Sequence, residues 1–174
     1  MCEGFSLDDT LALDAAHIAE YGFMIQGVQG GGVDEADRSP WAYTVGLLDA
    51  ADHPEMIVAG VKMETGGALL SMLAHAVLEG ERYEVGDTID VGRGAARVGA
   101  VNEIQYELDT FNTWSNLQRY GTLQAPELEA VQIILPRTFF CSCHRNSQPL
   151  LSDPAARVGA RRPPPNRALR RRRR

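Results

Sequence analysis

Trp41-Ala-Tyr-Thr-Val-Gly-Leu47 is the clearest strand in the chain. Strict alternation puts Trp41, Tyr43, Val45 and Leu47 on one face and Ala42, Thr44 and Gly46 on the other. The second face is built of small side chains, which leaves room for close approach by a helix, another backbone or a ligand. After an Asp-rich turn, Pro54 to Val61 supplies a second apolar strand through Met56, Ile57, Val58 and Ala59. The link between the two strands is shorter than the dozen or so residues of a parallel crossover, so they are expected to pair antiparallel.

Reading toward the N-terminus, Phe23 to Gln29 forms a short strand. Before it, Leu7, Leu11, Ala15 and Ile18 recur at helical spacing, with Ser6 and Asp9 as a capping pair and Gly22 as the stop. The Gly- and Asp-rich run from Gln29 to Pro40 is a polar connection. Toward the C-terminus, Thr65 to Glu79 is a helix with Leu69, Leu70, Leu73, Ala76 and Val77 as its apolar stripe and Gly80 at its end. Strand-like pieces follow at Arg82–Val85, Thr88–Val91 and Ala95–Val101. Asp109 to Tyr120 forms a further helix carrying Phe111, Trp114 and Leu117, and Val131 to Leu135 is a continuous apolar strand. This order is α+β rather than a regular βαβ alternation. The expectation is one α+β domain over residues 1–153, a mainly antiparallel sheet flanked by two or three helices. Residues 154–174 are expected to form a disordered Pro- and Arg-rich tail.

Hydrophobic residues make up 44% of the 174, enough for a real core and too many for a wholly disordered chain. No run approaches the roughly 20 apolar residues of a membrane-spanning helix. Met1-Cys2-Glu3-Gly4 opens with neither a basic nor an apolar leader region, so a soluble, cytoplasmic protein without membrane contact is expected. The net charge of −6 hides an asymmetry: residues 1–136 carry 22 acidic and 6 basic side chains, residues 137–174 carry 1 acidic and 11 basic.

The strand at 41–47, together with His53-Pro54-Glu55 and Ile57-Val-Ala-Gly60, resembles a bacterial family designated DUF4262, a domain of unknown function. The resemblance extends over the N-terminal helix, the leucine-rich helix, Gly80, Gly86-Asp87, Val131-Gln-Ile-Ile-Leu-Pro136 and Gln148-Pro-Leu-Leu151, about residues 6–153 in all. The family's late Pro-Asp and Trp-containing stretch is replaced here by Arg137 to Cys143. The resemblance implies a fold boundary and no particular activity.

Three segments carry possible chemistry. Pro54 favours an extended conformation at His53, so His53 and Glu55 are expected on the same side of the chain. A carboxylate beside an imidazole raises its basicity, as a general base requires, and Tyr43 or Thr44 on the adjacent strand would then face a substrate. The plainer reading is a solvated turn whose Pro starts a strand. Cys141-Ser-Cys143-His144 offers two thiols and an imidazole, ligands that suit zinc, but lacks the usual paired spacing; an idle thiol pair is the alternative. The tail holds nine Arg among residues 157–174, which would give weak, salt-sensitive contact with nucleic acid or fold back on the acidic domain. His17 and His75 fall on helices and are expected to be packed or partly solvated.

Two functions from different classes follow. One is a small binding or protein-interaction module, engaging a protein partner or a second copy. The other is a small enzyme or cofactor-binding domain using Tyr43, Thr44, His53 and Glu55, with a pocket beside the small face of the strand and a cofactor the sequence does not identify.

Overall fold

A computed structural model describes residues 6–29, 39–107, 109–140 and 148–153. The chain runs α1 (Leu7–Tyr21), β1 (Met24–Val28), β2 (Trp41–Val45), α2 (Leu47–Ala51), β3 (Glu55–Ala59) and α3 (Met63–Leu78). It continues through β4 (Thr88–Asp90), β5 (Ala95–Ala100), α4 (Ile104–Glu107), α5 (Asn112–Arg119) and β6 (Ala130–Ile134). Among the described residues, six strands form one sheet in the order β1-β2-β3-β6-β5-β4, antiparallel except for the parallel pair β3–β6. The expected α+β architecture with a mainly antiparallel sheet is what forms. No helix among the described residues is long and apolar enough to cross a membrane.

Each face of the sheet buries a separate apolar cluster. Ala42, Met56, Val58, Val98, Val131 and Ile133 point to one side, where α3 covers them with Leu69, Leu70, Leu73, Ala74 and Val77. Trp41, Tyr43, Val45, Ile57 and Ala59 point to the other, under Leu11 of α1, Trp114 and Leu117 of α5, Phe111 and Leu151. Burying each Leu or Ile contributes about 1.5–3 kcal/mol, so α3 and α5 are principal sources of stability. The small face of β2 receives a helix. Gly66 on α3 sits so close that a Cβ there would lie 3.0 Å from Val58 Cγ1 and 3.7 Å from Ala42 Cβ.

The sequence pattern is exact at α1: Ser6 and Asp9 form a reciprocal capping box, and Gly22 closes the helix in the left-handed region. It departs in two places. The strand from Trp41 stops at Val45, because Gly46 turns at φ +110° and Leu47 enters α2; Leu47 therefore joins the opposite core from Trp41, Tyr43 and Val45. Arg82–Val85 forms no strand: the Tyr83 N–H is taken by the His53 ring instead of a neighbouring backbone.

Residues 148–151 are held by two glutamines. Gln148 Oε1 accepts the Leu135 N–H at 2.8 Å and its Nε2 donates to the Ile133 carbonyl at 3.0 Å, as a neighbouring strand would. Reciprocally, fully buried Gln132 donates to the Pro149 carbonyl and accepts the Leu151 N–H, both at 2.7 Å. Leu151 is thereby fixed in the core beneath α5.

Candidate functional site

The β2–α2–β3 turn places Thr44 and Glu55 side by side in the interior. Glu55 Oε2 accepts the Thr44 hydroxyl at 2.6 Å, while Oε1 accepts the N–H of Gly46 at 2.7 Å and that of Leu48 at 3.4 Å. Those two amides open α2, so the carboxyl satisfies donors that have no partner within the helix. Only a residue without Cβ suits position 46, since a side chain at this positive φ would meet the Gly22 carbonyl and Ile18 at 3.0 Å. Glu55 is wholly buried, and burial pushes its carboxyl from 4.5 up to about 7. Hydrogen bonds from Thr44, Gly46 and Leu48 pull in the other direction, and the nearby Asp49 carboxylate pushes further up.

Thr44 is shared. Its Oγ1 donates to Glu55 and accepts the Met56 N–H at 2.8 Å. Tyr43, one residue earlier, faces the opposite side of the sheet. Its hydroxyl accepts the Thr113 N–H at 3.1 Å in the first turn of α5, a helix whose N-cap makes no side-chain bond. Burial raises the Tyr43 phenol above its ordinary value, and the ring meets Phe111 edge-on at 5.1 Å.

His53 makes its bonds apart from Glu55. The Pro54 carbonyl, which can only accept, lies 2.7 Å from Nδ1; the Tyr83 N–H, which can only donate, lies 3.1 Å from Nε2. These partners fix the neutral ring with its proton on Nδ1. Burial lowers the pKa of His53, the reverse of the raised basicity expected from a carboxylate neighbour. His53 and Tyr43 are each 1% exposed, Thr44 and Glu55 0%. All four accept a backbone N–H, and none of them lines the cavities at β1. Cys141, Cys143, His144 and the Arg run from 157 lie outside the described residues; among those described, no cluster of three or more His, Cys, Asp or Glu side chains is arranged to hold a metal ion.

The open surface lies elsewhere, along β1. This strand has a neighbour, β2, on one side only among the described residues. Helix α3 flanks it from one face of the sheet and α1 from the other. A cavity of about 300 Å³ sits at its start, walled by His17 and Tyr21 on α1 and by Ser71 and His75 on α3, with Phe23 and Ile25 below. A second, of about 510 Å³, sits at its end between Gln29, Pro40 and the first residues of α3. Phe23 and His75 meet edge-to-face at 5.2 Å, and Tyr21 is 51% exposed. The sequence signal available for this surface was the spacing of His17 with Tyr21 and of Ser71 with His75, each one helical turn apart, but nothing in it shows that the two helices flank one strand.

A family model described as a domain of unknown function (DUF4262) matches residues 17–138. No curated protein and no solved structure matches the chain.

Proposed function

The chain belongs to the DUF4262 family, and from its geometry we propose that it is a binding module whose docking surface is the outer edge of β1. An extended segment of a partner protein adds to β1 as a further strand, between the walls formed by α1 and α3. Main-chain hydrogen bonds to the strand edge supply affinity, and the flanking cavities select side chains. Tyr43, Thr44, His53 and Glu55 belong to the scaffold in this reading, since each accepts a backbone N–H inside the fold.

One observation carries the reading. One cavity is lined by Met24 and Ile25 of β1, the edge strand among the described residues, and another adjoins Gln29 just past its end, while the residues that suggested catalysis are enclosed. The opposite edge, β4, is three residues long and ends at Asp90, features that discourage strand addition. Selection from a random peptide library against the immobilised chain, followed by amide hydrogen exchange, tests the proposal. Selected peptides should slow exchange at residues 24–28 and around Ser71 and His75; peptides that bind but protect only other segments would overturn it.

A further inference from the structure

The register of the sheet fixes which backbone groups of β1 face away from it. The Gly60 N–H bonds the Pro40 carbonyl, so in the antiparallel ladder of β2 with β3 the next bonded position is Ala42 with Val58. Trp41, Tyr43 and Val45 then turn their backbone groups the other way, to Val28, Gln26 and Met24. The N–H and C=O of Ile25 and Gly27 are left pointing outward from the edge.

These two residues differ. The Gly27 carbonyl accepts Gln26 Nε2 at 2.9 Å, and Gln26 Oε1 in turn accepts the Thr113 hydroxyl at 3.1 Å. The Met63 methyl fills the space a Cβ at position 27 would need. The outward N–H and C=O of Ile25 have no partner among the described residues. Ile25 itself lines the cavity of about 300 Å³ at the start of the strand.

That cavity straddles the edge, with His17 and Tyr21 on its α1 side and Ser71 and His75 on its α3 side. Its rings are paired: His17 with Tyr21 at 4.7 Å between centroids, and Phe23 with His75 edge-to-face at 5.2 Å. None of the residues that line it is Asp, Glu, Lys or Arg. His75 Nδ1 lies 2.7 Å from the Ser71 carbonyl one turn earlier, which sets the orientation of the ring. Ile25 packs with the cluster under α3, so a residue bonded opposite it points its side chain the same way, toward Phe23, Ser71 and His75.

Resting on the strand-edge reading above, we propose that this cavity is a pocket for one uncharged aromatic residue of the added strand, paired antiparallel with Ile25. The N–H of that residue donates to the Ile25 carbonyl, its own carbonyl accepts the Ile25 N–H, and its ring packs against Phe23 and His75. A volume of about 300 Å³ lies at the small end of ligand pockets and suits a single side chain.

The probe is N-acetyl-phenylalanine N′-methylamide, one residue with both flanking peptide groups, titrated into the labelled full chain and followed by backbone amide NMR. It should shift Ile25, Ser71 and His75 and bind about fivefold more tightly than its cyclohexylalanine counterpart. Methylating the phenylalanine nitrogen should abolish binding, whereas a second methyl on the terminal amide should spare it, since successive N–H groups of a strand face opposite edges. His75→Ala should remove the preference for the aromatic ring. The methylated probes leave the protein unchanged and test the pairing if that variant does not fold.

Equal affinity of the phenyl and cyclohexyl probes, with shifts at Ile25, would overturn the aromatic pocket and leave the strand-edge reading standing. The opposite methylation pattern would overturn the antiparallel pairing with Ile25. If no probe shifts Ile25, the pocket fails; the strand-edge reading fails with it only if library-selected peptides also leave residues 24–28 unprotected.

Discussion

Thr44 Oγ1 lies 2.6 Å from Glu55 Oε2 and 2.8 Å from the Met56 amide nitrogen, so one hydroxyl joins a buried carboxyl to the backbone of the next strand. Around this contact Glu55 closes the start of α2, and Asp49 on that helix accepts the N–H groups of Gln124 and Ala125 at 2.7 Å each. The turn between β2 and β3 is thereby tied to the segment that follows α5.

Stability should depend on pH through Glu55. The native carboxyl keeps its proton up to about pH 7, whereas the unfolded chain releases it near 4.5. Between those values the native state binds more protons, so stability falls as pH rises, by about 3 kcal/mol over the whole window. Below 4.5 and above 7 this group contributes no slope. Glu55→Gln should remove the fall, and urea unfolding of both proteins across pH 4.5–8 measures it. His53 acts with the opposite sign, losing stability on acidification below its unfolded value near 6.5, and cancels when the two curves are subtracted.

Replacing His53 should damage the fold. His53→Ala leaves the Tyr83 N–H and the Pro54 carbonyl without their partner and opens a void, at a cost of about 2–4 kcal/mol. An unfolding midpoint equal to that of the unaltered chain would show that the ring is not a structural bridge.

Fold and site were legible in the sequence to different extents, for a physical reason. Periodicity and caps report which local structure a segment prefers, and α1, α3 and the alternating strand at Trp41 follow from them. The parallel pairing of β3 with β6 depends on which distant segments share a face, and no local pattern records it. Glu55, His53, Thr44 and Tyr43 read as chemistry because their side chains are reactive types near one another. In the folded chain each meets an amide left over by a helix start, a loop or a strand end, and such donors exist only once the backbone has its path. Likewise, Gln132 and Gln148 carry no motif; their role comes from how the chain returns to β6.

Adjacent glycines on α3 should respond in opposite ways. Gly67 has open space where a Cβ would stand, so Gly67→Ala should stabilise the helix by about 0.5–1 kcal/mol. Gly66→Leu should cost about 1–3 kcal/mol by forcing α3 off Val58 and Ala42. Thermal melts of the two variants check both signs.

Gln148→Ala should free the Leu135 N–H and the Ile133 carbonyl, costing about 1–3 kcal/mol. Hydrogen exchange should quicken at Leu135 and Leu151 before it does so on β2 or β3. Equal slowing or quickening across the whole sheet would contradict a local tether.

The most direct measurement is the pattern of backbone nuclear Overhauser contacts between a bound peptide and the isotopically labelled chain. The account predicts cross-strand contacts from the peptide to Met24–Val28, with side-chain contacts to Tyr21 and His75. Peptide contacts centred on His53 and Tyr83, with none to β1, would contradict it.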